Sequence, residues 1–202
     1  MKSKMEANIR LAFEMGYKLS LLNTYFSAIS NQTISEDRIQ QTISYVKKEL
    51  ESLGIYYKSL FGNTIPRLPP LEGQGDITKV LADFYNHTET MIHVHHFGGG
   101  EAAFKLGGLL SLFEMAPPAK ENVDAVLKRV QELLDDMGLK PKKLGKVIKK
   151  LASFDDEERR KACAKISEHV LGKKPEPSVG ILKNLGLEIG IPSGIKIVKK
   201  WE

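Results

Sequence analysis

Apolar residues recur every three or four positions along most of this chain, which is the spacing of amphipathic α-helices. The most regular stretch alternates steps of four and three residues, through Ile39, Ile43, Val46, Leu50, Leu53, Tyr57 and Leu60. A seam with this period packs lengthwise against another helix. The sequence therefore predicts a long second helix whose 39–60 seam either packs within the chain or forms a homodimer.

Six further helices are predicted from the same spacing and from residues that start and stop helices. Their expected ranges are 4–29, 77–97, 101–115, 122–137, 142–152 and 155–171. A short connection joins the first two helices, so they should form an antiparallel hairpin over 4–61. A loop rich in proline and glycine follows at 62–75.

Two local signals inside these helices make more specific predictions. Gly107 and Gly108 interrupt an apolar helix, and because glycine is unfavourable in a helix interior, they predict close approach to another backbone. Asp155 and Glu158 have the spacing of a capping box at the start of the last helix.

The apolar spacing changes to alternation near the C-terminus. Alternating runs at 187–191 and 195–200 flank Pro192-Ser193-Gly194, which predicts a β-hairpin with a short turn. The expected fold class is therefore mainly α: a multi-helix bundle with an N-terminal antiparallel helical hairpin and a short C-terminal β-hairpin.

Charge divides the chain into two parts. Residues 1–118 contain 11 Lys and Arg against 12 Asp and Glu, whereas residues 119–202 contain 19 against 13, so the net charge of +5 arises in the second part. We expect a helical bundle domain over 1–118, with a histidine-bearing helix pair at 76–116. A basic domain or subdomain of three helices and a β-hairpin should follow over 119–202.

The basic residues of the second part form the first candidate site. They are Lys142, Lys143, Lys146, Lys149 and Lys150 on the predicted sixth helix, and Lys196, Lys199 and Lys200 on the predicted hairpin. Such ammonium groups attract an acidic partner, nucleic acid among them. Three helices and a hairpin resemble a winged-helix domain in outline. However, the helix that would approach the bases starts with four carboxylates at 155–158, which would repel DNA.

A histidine cluster forms the second candidate site, because four of the five histidines lie within residues 87–96. With about 100° per residue, Glu89, His93 and His96 share one helix face, whereas His95 joins the apolar stripe. Imidazole and carboxylate groups bind zinc or iron. Glu89 and His96 are about 10.5 Å apart along the axis, so one ion would take only a neighbouring pair. The alternative without metal places His95 in the core and the other histidines in solvent.

Several classes of protein are disfavoured by composition. A single cysteine, Cys163, excludes an internal disulfide and a CxxC zinc site, and it favours a reducing, intracellular and cytoplasmic setting. No apolar run reaches about 18 residues, so no membrane-spanning helix is expected. Residues 66–71, with three prolines, leave a peptide-docking adaptor as a minor alternative.

The sequence therefore predicts a non-enzymatic intracellular interaction protein without a cofactor. It would bind an acidic partner, such as nucleic acid, through the lysines of its C-terminal part. The alternative is a metal-binding helical-bundle protein or enzyme that uses the face of Glu89, His93 and His96, where Glu89 and His93 with His96 nearby would hold a divalent ion, zinc or iron.

Overall fold

The computed structural model describes residues 2–29, 35–65, 68–95 and 98–175. They form seven α-helices: α1 (Lys2–Ile29), α2 (Glu36–Phe61), α3 (Gln74–His95), α4 (Gly100–Met115), α5 (Val123–Asp136), α6 (Gly145–Lys149) and α7 (Asp156–Leu171). The predicted helices are confirmed to within one turn at their ends, with one exception. The predicted helix at 142–152 is the short α6 between two 3-10 turns, Pro141–Leu144 and Lys150–Ala152.

The predicted fold class needs a correction, because the described residues contain helices and no strand. The β-hairpin was expected at 187–200, which lies outside the described residues. Alternation over so few residues is a weak signal, since two strands alone are marginally stable in water and need another element to cover them. The described part of the chain is an all-helical bundle.

Helix α4 is the centre of this bundle. Of its 16 residues, 14 are buried, so the helix is enclosed on all sides, as expected for a helix that is apolar all round. Its neighbours are α1, α3, α5 and α7. One hydrophobic cluster extends from Ala12 in α1 to Leu171 in α7, so residues on both sides of the predicted boundary at 118 share a core. The division into two domains stays a prediction.

Helices α1 and α4 approach each other closely at two glycines. A Cβ added to Gly107 would lie 2.2 Å from the carbonyl oxygen of Phe13, and one added to Gly16 would lie 2.0 Å from that of Phe104. Both distances are far below the roughly 3.5 Å of ordinary contact. The predicted close approach at Gly107 is confirmed. The main partner of α1 is therefore α4, and its contact with α2, the predicted hairpin partner, is smaller.

The 39–60 seam is buried inside the protein. Ile43, Val46, Leu53 and Tyr57 are buried, and the residues at the two ends of the seam pack against the same core. Helix α2 makes these contacts with α1 and α3. The seam is thus an intramolecular contact, as the first of the two alternatives predicted, and the alternative of a homodimer is not supported.

Candidate functional site

Helix α7 starts with four consecutive carboxylates, and the first of them caps the helix. Asp155 accepts hydrogen bonds from the backbone N–H groups of Glu157 (2.8 Å) and Glu158 (3.1 Å). These two bonds, that of Glu158 first, hold the pKa of Asp155 below its ordinary value of 3.8. In a complete capping box the Glu158 carboxylate would also accept from the Asp155 N–H, but other bonds take the place of this one. The Asp155 N–H donates to Ser153, and the Glu158 carboxylate accepts from Ser153 and pairs with Lys150.

The other two carboxylates at this helix start also have cationic partners. Asp156 pairs with Arg159, and Glu157 pairs with Lys161 at 2.5 Å. Hydrogen bonding to Glu157 raises the pKa of Lys161 above its ordinary value. Because each carboxylate at 155–158 has a donor within the chain, their repulsion of an anionic partner is weaker than the sequence suggests.

A groove of about 610 Å³ lies between α6 and α7. Five lysines from α6, the following 3-10 turn, α7 and the segment after α7 line it: Lys146, Lys150, Lys161, Lys165 and Lys174. Two carboxylates, Glu158 and Glu168, also line the groove, so positive charges outnumber negative ones by three. We name this site the lysine groove.

The lysines of the lysine groove differ in how they are paired. Lys150 lies 2.8 Å from Glu158, and Lys161 is paired with Glu157. The described residues place no carboxylate within 4.0 Å of Lys146, Lys165 or Lys174. Those three ammonium groups can therefore bind an external anion without breaking an ion pair of the described chain.

Only part of the predicted lysine site reaches this groove. Lys146 and Lys150 line it, whereas the other three lysines predicted on the sixth helix are exposed elsewhere: Lys142, Lys143 and Lys149. The three predicted on the hairpin lie outside the described residues: Lys196, Lys199 and Lys200. The predicted site omitted the contributions of α7. Lys161 and Lys165 are four residues apart, so they lie on one helix face, and this spacing could have indicated their contribution.

One cation of α7 is not a surface charge. Arg159 is fully buried, and its guanidinium donates to the carbonyls of Phe113 and Ser153 and to the carboxylate of Asp156. Arg159 is four residues before the buried Cys163, so both lie on the same face of α7. Arg159 therefore holds the fold together and is unavailable to a partner.

Two of the clustered histidines are engaged with residues on other helices. Nε2 of His87 lies 2.7 Å from the hydroxyl oxygen of Tyr57, and the two rings stack. Nδ1 of His93 lies 3.4 Å from the Glu101 carboxylate on the surface. Glu101 also accepts from Lys105 at 2.6 Å, and this bond, more than the one to His93, holds the pKa of Glu101 below its ordinary value.

The prediction for His95 is wrong. The apolar stripe of α3 is buried at Ile77, Leu81 and Ile92, as its spacing predicts, but His95 is exposed. His95 is the last residue of α3, where the stripe has passed the end of the core. Its ring lies over the edge of the core, 5.3 Å from that of Phe61.

The predicted metal-binding face is not assembled among the described residues. Glu89 is half-buried on α3. The pKa of Tyr85 is raised mainly by the burial of Tyr85 itself and then by the negative charge of Glu89. His93 points to Glu101, and His96 lies outside the described residues. Within the described ranges, no group of three or more His, Cys, Asp or Glu side chains is placed to hold an ion. The zinc or iron site stays a prediction without structural support.

Three other expectations from the sequence concern a membrane-spanning helix, the peptide-docking segment and the cysteine. Among the helices described, none combines the length and apolar character needed to cross a bilayer. The segment considered as a peptide-docking motif is partly inside the protein, since Leu68 packs against the core and Leu71 is buried. Burial raises the pKa of the Cys163 thiol well above its ordinary value of 9.0, so this thiol is protonated at neutral pH.

Comparison of the chain with protein-family models, with curated proteins and with solved structures found no match. The geometry of its own side chains is therefore the basis for a function.

Proposed function

We propose that this protein is a non-enzymatic interaction protein that binds an acidic partner in the lysine groove. The convergence of five lysines from separate segments on one groove supports the proposal. Cations that line a concave surface reinforce one another's potential, which attracts anions and speeds their association. Lys146, Lys165 and Lys174 are the principal contacts, because they have no ion-pair partner within the described residues.

The state of the reactive side chains favours binding over catalysis. The only thiol, Cys163, is buried and protonated. The imidazole of His87 is bonded to Tyr57, and that of His93 lies beside Glu101. The lysine groove itself is lined by ammonium groups, two carboxylates and aliphatic side chains, which suit ionic recognition.

Charge reversal at the three unpaired lysines tests this proposal. The probe is fluorescein-labelled poly-L-glutamate, and binding is followed by fluorescence anisotropy at low and at physiological salt. The unaltered protein should bind, and its affinity should fall as salt rises because the contacts are ionic. The triple variant Lys146→Glu, Lys165→Glu, Lys174→Glu should bind at least about tenfold more weakly, since three attractive contacts become repulsive.

A matched triple variant controls for net charge. Lys47, Lys48 and Lys79 are exposed on α2 and α3, and their replacement by Glu changes the net charge by the same amount. This control should bind far better than the groove variant, provided that circular dichroism shows both to be folded. The proposal is wrong if poly-L-glutamate does not bind, or if the two triple variants lose affinity equally.

A further inference from the structure

The lysine groove offers apolar surface between its charges. Val147, Ala162, Ala164 and Pro175 line it together with the lysines. Val147 belongs to α6 and Ala164 to α7, and both are partly exposed. Apolar surface bordered by charged side chains is typical of protein–protein interfaces. A ligand that carries only charge would leave this apolar surface in water.

The groove lacks the features that nucleic acids use. None of its described lining residues is aromatic, and none is an arginine. Stacking of bases on aromatic rings supplies much of the affinity for single strands, and arginine gives the paired hydrogen bonds that phosphates and guanines accept. Phe154 is the exposed aromatic ring nearest in sequence, but it lies outside the lining, with the ammonium of Lys120 above it at 5.6 Å.

Four of the five lysines form two rows, one along α6 and the 3-10 turn after it and the other along α7. Lys146 and Lys150 are four residues apart beside α6, and Lys161 and Lys165 are four residues apart on α7. Residues four apart in a helix are separated by about 6 Å along its axis. A partner helix with carboxylates at the same spacing on both flanks would meet both rows. Apolar side chains between those flanks would enter the groove, as in other helix-in-groove complexes.

From this arrangement we infer that the partner is an acidic amphipathic helix of another protein, and that its apolar stripe rests on the Val147 and Ala164 surface. The inference rests on the proposed function, because it names the partner class of the same groove. Its volume of about 610 Å³ is within the range of about 300–1,000 Å³ that is typical of ligand-binding clefts.

Two synthetic peptides of identical composition test the inference. In the patterned peptide, leucines recur at three- and four-residue spacing and glutamates occupy the flanks. In the scrambled peptide, the same residues form no apolar stripe. Calorimetric titration of the full-length protein should give at least about tenfold tighter binding for the patterned peptide.

A substitution in the apolar lining of the groove separates apolar contact from charge. Ala164→Leu adds bulk to this lining without changing charge, so it should weaken binding of the patterned peptide at least about tenfold. The same variant should leave binding of poly-L-glutamate within about twofold. Ala125→Leu, on the exposed face of α5, is the matched control and should change neither affinity.

The outcomes distinguish this inference from the proposed function. Equal binding of the two peptides would overturn the inference, although retained binding of poly-L-glutamate would leave the proposed function standing. Tighter binding of duplex or single-stranded DNA than of the patterned peptide would identify nucleic acid as the partner class and also overturn the inference. Failure of poly-L-glutamate to bind would count against the proposed function itself.

Discussion

Nε of Arg159, in α7, donates a hydrogen bond to the main-chain carbonyl of Phe113, in the last turn of α4. The next carbonyl, that of Glu114, accepts from Nε of Arg160 at 3.3 Å. The last carbonyls of a helix lack partners within the helix, and its C-terminal end carries partial negative charge. Two guanidinium groups therefore close the end of the central helix, and they join α7 to it.

Replacement of Arg159 by alanine is expected to lower the free energy of unfolding by about 3 kcal/mol, because the carbonyls of Phe113 and Ser153 lose a charged donor inside the protein. Arg159→Lys should recover only part of this loss, since an ammonium cannot reproduce the planar set of donors. Denaturant unfolding followed by circular dichroism measures both. Arg160→Ala, at a half-buried position, should cost about 1 kcal/mol or less. An equal loss for Arg159→Ala and Arg160→Ala would contradict this account.

The sequence predicted features that depend on local pattern, and it missed those that depend on how helices meet. Helix ranges and the close approach at Gly107 follow from apolar spacing and from the cost of glycine. The burial of Arg159 was not predicted because arginine is seldom buried, although its position four residues before Cys163 on the same helix face indicated it. The spacing in α3 gave the correct face for His95 but could not show where the core ends.

The candidate site was only partly predictable for a related reason. A 3-10 turn has about three residues per turn, so the turns at Pro141–Leu144 and Lys150–Ala152 rotate neighbouring side chains away from the faces of one continuous helix. Lys142 and Lys143, in the first of these turns, do not line the groove. Lys146 and Lys150 do, and Lys149, at the end of α6, does not. The opposition of α6 and α7 is a tertiary contact that no local spacing specifies.

Gly107→Ala is expected to destabilise the protein by about 2–3 kcal/mol, because its Cβ would overlap the Phe13 carbonyl oxygen and force α1 and α4 apart. Gly54→Ala, in the interior of α2, is the matched control. Its Cβ would lie 3.5 Å from the Ile65 side chain, an ordinary contact, so this variant should be more stable by about 0.5–1 kcal/mol. Chemical denaturation of both variants gives the comparison. If they change stability in the same direction, the close approach is not what fixes glycine at position 107.

Asp155→Ala should lower the melting temperature at pH 7 by about 2–4 °C, because it removes the cap of α7. The pKa of Asp155 is lowered in the folded state, so its stabilising effect is present above about pH 4 and is lost as the pH falls through that lowered pKa. The difference between the two proteins should therefore shrink towards pH 2.5. Asp155→Asn keeps an acceptor oxygen and should lose less at pH 7. Thermal melts at constant salt test this, and an unchanged difference at low pH would exclude a role for the carboxylate charge.

Tyr57→Phe is expected to cost about 1 kcal/mol, because it removes the hydroxyl that lies 2.7 Å from Nε2 of His87. Burial raises the pKa of Tyr57, so the hydroxyl is protonated, and we expect it to donate to Nε2, an arrangement in which the His87 proton is on Nδ1. Nitrogen chemical shifts of the His87 ring identify this tautomer. Tyr85→Phe is the control, because the Tyr85 hydroxyl is buried without a hydrogen-bond partner in the described chain, and its loss should be neutral or stabilising. Equal costs for the two variants would show that the bond to His87 contributes nothing.

Glu158→Gln should tighten the binding of poly-L-glutamate by about threefold at low salt, the size expected when one exposed ion pair is released. The substitution removes a carboxylate from the lysine groove and frees Lys150, which lies 2.8 Å from it. Screening should reduce this gain at physiological salt. Glu132→Gln, on α5 and outside the groove lining, changes the net charge equally and serves as the control. An equal gain for both variants would mean that the anion responds to the charge of the whole protein, and the lysine groove would then have no special part in binding.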